Sequence, residues 1–144
     1  MKTVKKESRK SERLRLIAEG AAKQSGRGIV PEVSSPVTFK EAVADAARTC
    51  EIILVPYENA MGMKYSDQML SEAVGKKSIG IFIGPEGGFA RQEIALAEEK
   101  GAKILSLGHR ILRTETAGLA VLSNLMFRIE TAYDPEEAND GMTV

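Results

Sequence analysis

Residues 78–101 read SIGIFIGPEGGFARQEIALAEEKG, and the order of textures in that stretch sets the fold class. SIGIFI is an apolar run too short for a helix and reads as a fully buried strand. GPEGGF is a turn-forming loop with three glycines, a proline and one carboxylate. RQEIALAEEKG has helical spacing and closes at Gly101, a residue suited to the position just past a helix. The loop matches neither phosphate fingerprint expected between strand and helix: G-x-G-x-x-G and G-x-x-x-x-G-K-[ST] are both absent from it.

Working outward, EIILVPY at 51–57 and AKILSLG at 102–108 read as two more strands. Thr38-Phe39-Lys40-Glu41 has the form of a capping box and predicts a helix from Thr38 to about Arg48. Ser66 predicts the cap of a short helix through about Val74, and Thr114 or Thr116 the start of one running to about Ala132. A first helix is predicted from about Ser8 to Gln24, with Leu14, Ile17, Ala18, Ala21 and Ala22 near one face, broken by SGRG. Alternating strands and helices imply an α/β fold, a mostly parallel sheet with helices on both faces.

Composition narrows the function classes. The chain has 144 residues, 43% hydrophobic and 28% charged, with zero formal net charge. That length suits one domain, predicted over residues 1–133, with the acidic stretch 134–144 expected to be disordered. A single cysteine excludes an intramolecular disulfide framework, and one histidine with one cysteine cannot form a cysteine/histidine zinc site. No apolar run reaches the about 18 residues of a membrane span, and no leader pattern is present, so a cytosolic location is expected. Charge is unevenly placed: nine Lys and Arg lie within Met1–Arg27 against Glu7, Glu12 and Glu19. Such a head can touch phosphates locally or form a solvated face.

The last predicted helix carries Ala117, Leu119, Ala120, Val121, Leu122, Leu125, Met126, Phe127 and Ile129 around nearly its whole circumference. A helix of that kind is covered on more than one side, either inside the monomer or by a second copy in a homodimer, which is the expectation here.

In an open parallel sheet, ligands bind beyond the carboxyl ends of the strands. Three loops fall there: PYENAMG, GPEGGF and LGHRILRTETA. Gly84, Gly87 and Gly88 allow close backbone approach to a ligand, and Pro85 stiffens the turn; a simple tight turn is the alternative. The third loop sets Arg110 and Arg113 beside Leu107, Ile111 and Leu112, then Glu115 between hydroxyls. Its apolar residues suit a flat heteroaromatic ring such as adenine, and its arginines suit phosphate. The alternative for Arg113 is an ion pair with Glu115 or Glu86. His109 lacks an evident carboxylate orienter and is not taken as a base; Cys50 reads as packing.

Three segments, AAKQSGRGIVPEV, IGPEGGF with its following glutamate, and SLGHRILRTETA, together resemble the ribosomal RNA small-subunit methyltransferase E family of the SPOUT superfamily. The resemblance runs from about Arg13 to Ile129. It implies an α/β domain with a deep C-terminal trefoil knot, S-adenosylmethionine as cofactor without a metal, and methylation of N3 of a uridine in 16S rRNA of the small ribosomal subunit. It further implies a homodimer through the last helix and the knot, with neither membrane nor DNA as partner. The cofactor would be held by Val55, Pro56, Ile83, Gly84, Pro85, Glu86, Gly87, Gly88, Ser106, Leu107, Gly108, Arg110, Ile111, Leu112, Thr116 and Ala117. Arg27, Arg113 and Glu115 would form the catalytic group: the arginines on the RNA side, with Glu115 or Glu86 as orienter or proton acceptor.

Two features depart from the family pattern. The family's usual N-terminal PUA-like barrel domain is expected to be absent ahead of the basic helix, which puts RNA affinity and substrate choice in question. Ala90 stands where serine often follows GGF, which weakens the helix start by about 1 kcal/mol. Two rival readings are a sister SPOUT enzyme acting on a ribose 2′-hydroxyl and a non-catalytic binding module on the same scaffold.

Overall fold

The computed structural model describes residues 2–58, 62–108 and 112–134. The chain divides into two units, residues 1–38 and 39–144.

The first unit is helix α1 (Lys2–Gln24) and an irregular segment after it. The helix begins six residues before the expected Ser8, because Lys2–Glu7 have no apolar period yet are adequate helix formers. Its end is a double-bonded glycine cap. Arg27 N–H donates to Ala22 O (2.9 Å) and Gly26 N–H to Lys23 O (3.3 Å), with Gly26 at φ +72°. The SGR sequence is therefore the stop signal itself. The packed stripe also differs from expectation: Ser11 and Ala22 are buried and Ala18 half-buried, whereas Leu14 and Ile17 are exposed. Arg15 Nε donates to Val33 O at 3.0 Å, tying the helix to the irregular segment that follows it.

The second unit is a three-stranded parallel sheet in the order β2-β1-β3 with two helices on each face. Its elements are α2 (Phe39–Thr49), β1 (Ile52–Pro56), α3 (Met63–Val74), β2 (Ile79–Ile81), α4 (Arg91–Glu99), β3 (Lys103–Leu105) and α5 (Thr114–Ala132). Strand β1 is central, with Leu54 opposite Ile81 on one side and Lys103 on the other. Alternation along β1 sorts the core. Ile52 and Leu54 meet Leu105, Met69 and Leu70 of α3, and Val121 and Leu125 of α5. Ile53 and Val55 meet Ala46 of α2, Ile94 and Ala97 of α4, and Ile104. Leu54, Leu105, Val55 and Val121 are fully buried, each burial contributing about 1.5–3 kcal/mol.

Two expectations change, and one alternative falls. Strand β2 is half-buried rather than fully buried. Helix α3 starts at Met63 after Gly62, so Ser66 is inside it and does not cap it. Complete burial of α5 within the monomer fails: Leu119, Leu122, Met126 and Phe127 stay exposed, at 69, 51, 43 and 73%. Cys50 is a packing residue, with its sulfur 3.2 Å from where a Cβ on Gly80 would lie. Among the described residues no helix is long and apolar enough to cross a membrane.

Candidate functional site

The loops that leave the carboxyl ends of the three strands converge on one cleft of about 580 Å³. Pro56, Tyr57 and Glu58 contribute from β1, Ile83–Phe89 from β2, and Leu107, Leu112, Arg113, Thr114, Glu115 and Ala117 from the β3–α5 connection and the first turn of α5.

Local chemistry fixes each wall. In GPEGGF, Gly88 sits at φ +74° and its N–H donates to Pro85 O at 2.8 Å, closing a turn that an L side chain would strain. A Cβ on Gly84 would come within 3.2–3.3 Å of the Phe89 ring and its backbone N, so this glycine is required by close approach. Phe89 in turn stacks against Phe39 of α2 at 5.4 Å between ring centroids, and Phe39 meets Phe82 edge-on at 5.8 Å. The loop is therefore pinned from below by an aromatic cluster. From the side, Thr114 Oγ1 donates to Gly84 O at 3.0 Å, tying the second loop to α5.

The third loop is held from inside the core. Ser106 N–H donates to the hydroxyl of Ser66, which is 1% exposed, at 2.8 Å. The Ser106 hydroxyl accepts from Gly108 N–H (3.3 Å) and donates to Gly108 O (3.2 Å), with Gly108 at φ +117°. Between them, Leu107 packs on the α3–α5 side of the core and reaches the cleft.

Among the described residues the lining is acidic. The described lining has three carboxylates, Glu58, Glu86 and Glu115, against one guanidinium, Arg113. Arg113 is the backbone cap of α5, accepting from Ala117 N–H at 2.8 Å, and among the described residues no side chain caps that end. The first amides of α5 are thus open to a ligand, with the positive end of the helix dipole beside them. Arg113 forms no ion pair with Glu86, Glu115 or any other described residue, against the ion-pair alternative.

Most of the expected cofactor residues line this cleft: Pro56, Ile83, Gly84, Pro85, Glu86, Gly87, Gly88, Leu107, Leu112 and Ala117, with Arg113 and Glu115 of the catalytic group. Others are placed differently. Val55, at 0% exposure, packs in the core beneath the cleft and does not line it. Ser106 and Gly108 shape the third loop without lining the cleft, and Thr116 is exposed on α5 outside it. Arg27 is exposed in the 1–38 unit, just past the α1 cap. Arg110 and Ile111, like His109, lie outside the described residues.

Tyr57, Glu58, Phe89 and Thr114 line the cleft without having been singled out. Two of them had a visible signal: Glu58 follows the first strand in a loop already placed at the sheet edge, and Phe89 is an apolar residue closing a glycine turn. Among the described residues no group of three or more His, Cys, Asp or Glu could hold a metal.

The sequence model of a family described as "RNA methyltransferase domain" matches residues 1–126. The ribosomal RNA small subunit methyltransferase E of Aquifex aeolicus is 35% identical over 118 residues, which cover 82% of this chain and 48% of that protein. The Bacillus subtilis protein of the same name is 33% identical over 128 residues, 88% of this chain and 50% of that one. The chain thus spans about half the length of the curated relatives it matches. Among solved structures, the Neisseria gonorrhoeae ribosomal RNA small subunit methyltransferase E bound to S-adenosyl methionine superposes with a TM-score of 0.72. It is 30% identical, and the match covers 85% of this chain and 49% of that one.

Proposed function

The chain belongs to the RNA methyltransferase domain family, and on that footing we propose that it is the catalytic domain of an S-adenosylmethionine-dependent enzyme methylating N3 of a uridine in 16S rRNA. The observation that carries this reading is the cleft at the sheet edge, apolar in its walls, acidic at its rim and open to backbone amides at the start of α5. When bound, S-adenosylmethionine supplies an activated methyl group on a sulfonium centre.

The residues present fit that cofactor. Ile83, Leu107, Leu112 and Ala117 offer an apolar slot for a heteroaromatic ring. Open space beside Gly87 and Gly88 leaves their backbone accessible. Among the described lining residues, three carboxylates against one guanidinium favour a ligand with a positive centre.

The target N3 holds a proton at neutral pH, and its lone pair is delocalised into two carbonyls. A productive site must take up that proton and stabilise the charge that develops on the uracil oxygens. Arg113 is suited to the second task, since it is free of ion pairs with described residues and presents a planar set of donors. Arg27 is assigned to the RNA side with it. Glu115 or Glu86 is the proton acceptor or orienter. The uridine must be unpaired or turned out of its stack to reach them.

The proposal includes the SPOUT trefoil knot and a homodimer. Exposed Leu119, Leu122, Met126 and Phe127 on α5 support the second, because an apolar face of that kind is covered in a stable assembly. Action on ribosomal RNA accords with a cytoplasmic site of work.

Titration calorimetry with S-adenosylmethionine and, separately, ATP tests the cleft assignment. Binding of the first and not the second is expected; a folded protein that binds neither, or prefers ATP, contradicts it.

A further inference from the structure

Helix α1 carries a pattern that the cleft does not explain. Lys6, Arg9, Lys10 and Arg13 recur at i, i+3, i+4 and i+7, and all four are exposed. At about 100° per residue their mean direction lies roughly 160° from that of Ser11, Arg15, Ala18 and Ala22, the packed side of the helix. The cations therefore form one outward stripe about 10 Å long.

Helix energetics alone disfavour this arrangement. Like charges at i, i+3 and i+4 repel one another, and none of the four is paired with a described carboxylate. The first turn, Lys2–Lys5, holds two lysines and no acidic residue, opposite to what the helix dipole favours. Charges set where their own helix repels them are stabilised by an external polyanion. Two kinds of surface could supply one. An anionic membrane requires an apolar face segregated from the basic one. Here the exposed Leu14, Leu16 and Ile17 share the outward half of the helix with the cations, which leaves no such face. A nucleic acid backbone needs only the stripe.

We propose that the Lys6–Arg13 face of α1 docks the phosphate backbone of the substrate RNA, outside the reaction cleft. This rests on the methyltransferase reading and adds a surface that reads charge and not sequence.

The test compares three forms of the full chain by filter binding to 16S rRNA across a range of salt. In the stripe variant Lys6, Arg9, Lys10 and Arg13 are all changed to Gln, which keeps helix propensity. In the control, Lys40, Lys77, Arg91 and Lys100 are changed to Gln, an equal loss of charge from exposed positions elsewhere. Expected is a loss of tenfold or more in affinity for the stripe variant, with the slope of log K against log salt shallower by about 3, and little change in the control. Equal losses in both variants, unchanged binding in the stripe variant, or no RNA binding by any form overturns the proposal. So does a stripe that binds phosphatidylserine vesicles while leaving RNA affinity untouched. Calorimetry with S-adenosylmethionine on the same three proteins separates the two ideas. Retained and equal cofactor affinity means that a failed RNA result counts against the stripe alone, whereas loss in the unaltered chain counts against the methyltransferase reading.

Discussion

Thr114 Oγ1 donates a hydrogen bond to Gly84 O across 3.0 Å, joining two loops that are 30 residues apart in sequence. The bond holds the glycine turn against the first residue of α5 and so sets the width of the cleft between them. Replacing Thr114 with Val keeps the shape and removes the donor. S-adenosylmethionine affinity should fall several-fold in calorimetry, with stability lower by about 1 kcal/mol; Thr114→Ser should restore both. Affinity unchanged in Thr114→Val would detach this contact from cofactor binding.

The Ser66–Ser106 bond reaches the third loop from the core. Ser66→Ala leaves the Ser106 N–H without its acceptor in a half-buried setting, at a cost of about 1–3 kcal/mol. Urea unfolding should show a lower midpoint at unchanged m. Met69→Ala, which opens a cavity beside the same helix and removes no hydrogen bond to the loop, should lower stability by about 2–5 kcal/mol yet leave cofactor affinity intact well below its melting temperature. Ser66→Ala should weaken cofactor binding under those conditions.

Helix α4 begins with half a capping box. Glu93 accepts from Ala90 N–H at 2.8 Å, but Ala90 has no oxygen to return the bond. Ala90→Ser supplies it and should raise stability by about 1 kcal/mol, read as a higher midpoint in thermal or urea unfolding. No gain would mean that the N–H groups at this end are already satisfied by water.

The exposed face of α5 yields a prediction about assembly. Leu119→Glu with Phe127→Glu places two charges on a face that is 69 and 73% exposed in the single chain, so the monomer fold should survive. Sedimentation should show the unaltered chain as a dimer and the double variant as a monomer. A monomeric unaltered chain would remove the homodimer from the account.

Much of the fold was legible in the sequence because local signals and tertiary demands agree. The 51–57, 78–83 and 102–108 runs all contain strands, the helix closed by Gly101 ends there, and the three loops meet as their position at the sheet edge requires. Divergences arise where tertiary contacts reassign a residue. Ser66 has the chemistry of a cap, yet its hydroxyl serves a loop 40 residues away, and no local pattern encodes that. Val55 shares a strand end with Pro56, but pleating turns it into the core while its neighbour lines the cleft. In α1 the expected stripe of Leu14, Ile17, Ala18, Ala21 and Ala22 holds only in part: Ala22 is buried and Ala18 half-buried, while Leu14, Ile17 and Ala21 are exposed. Phe89 was visible as an apolar residue closing a glycine turn, but its place against Gly84 depends on Phe39, which α2 brings to it.

The central claim is methyl transfer to a base nitrogen, and nucleoside mass spectrometry tests it most directly. Small ribosomal subunits lacking the modification are incubated with the protein and S-adenosylmethionine, with free 16S rRNA alongside, and the digested RNA is analysed. The account predicts N3-methyluridine, strongly reduced by Arg113→Ala at unchanged cofactor affinity. A ribose-methylated nucleoside, or no new methylation by a protein that binds both cofactor and RNA, would contradict it.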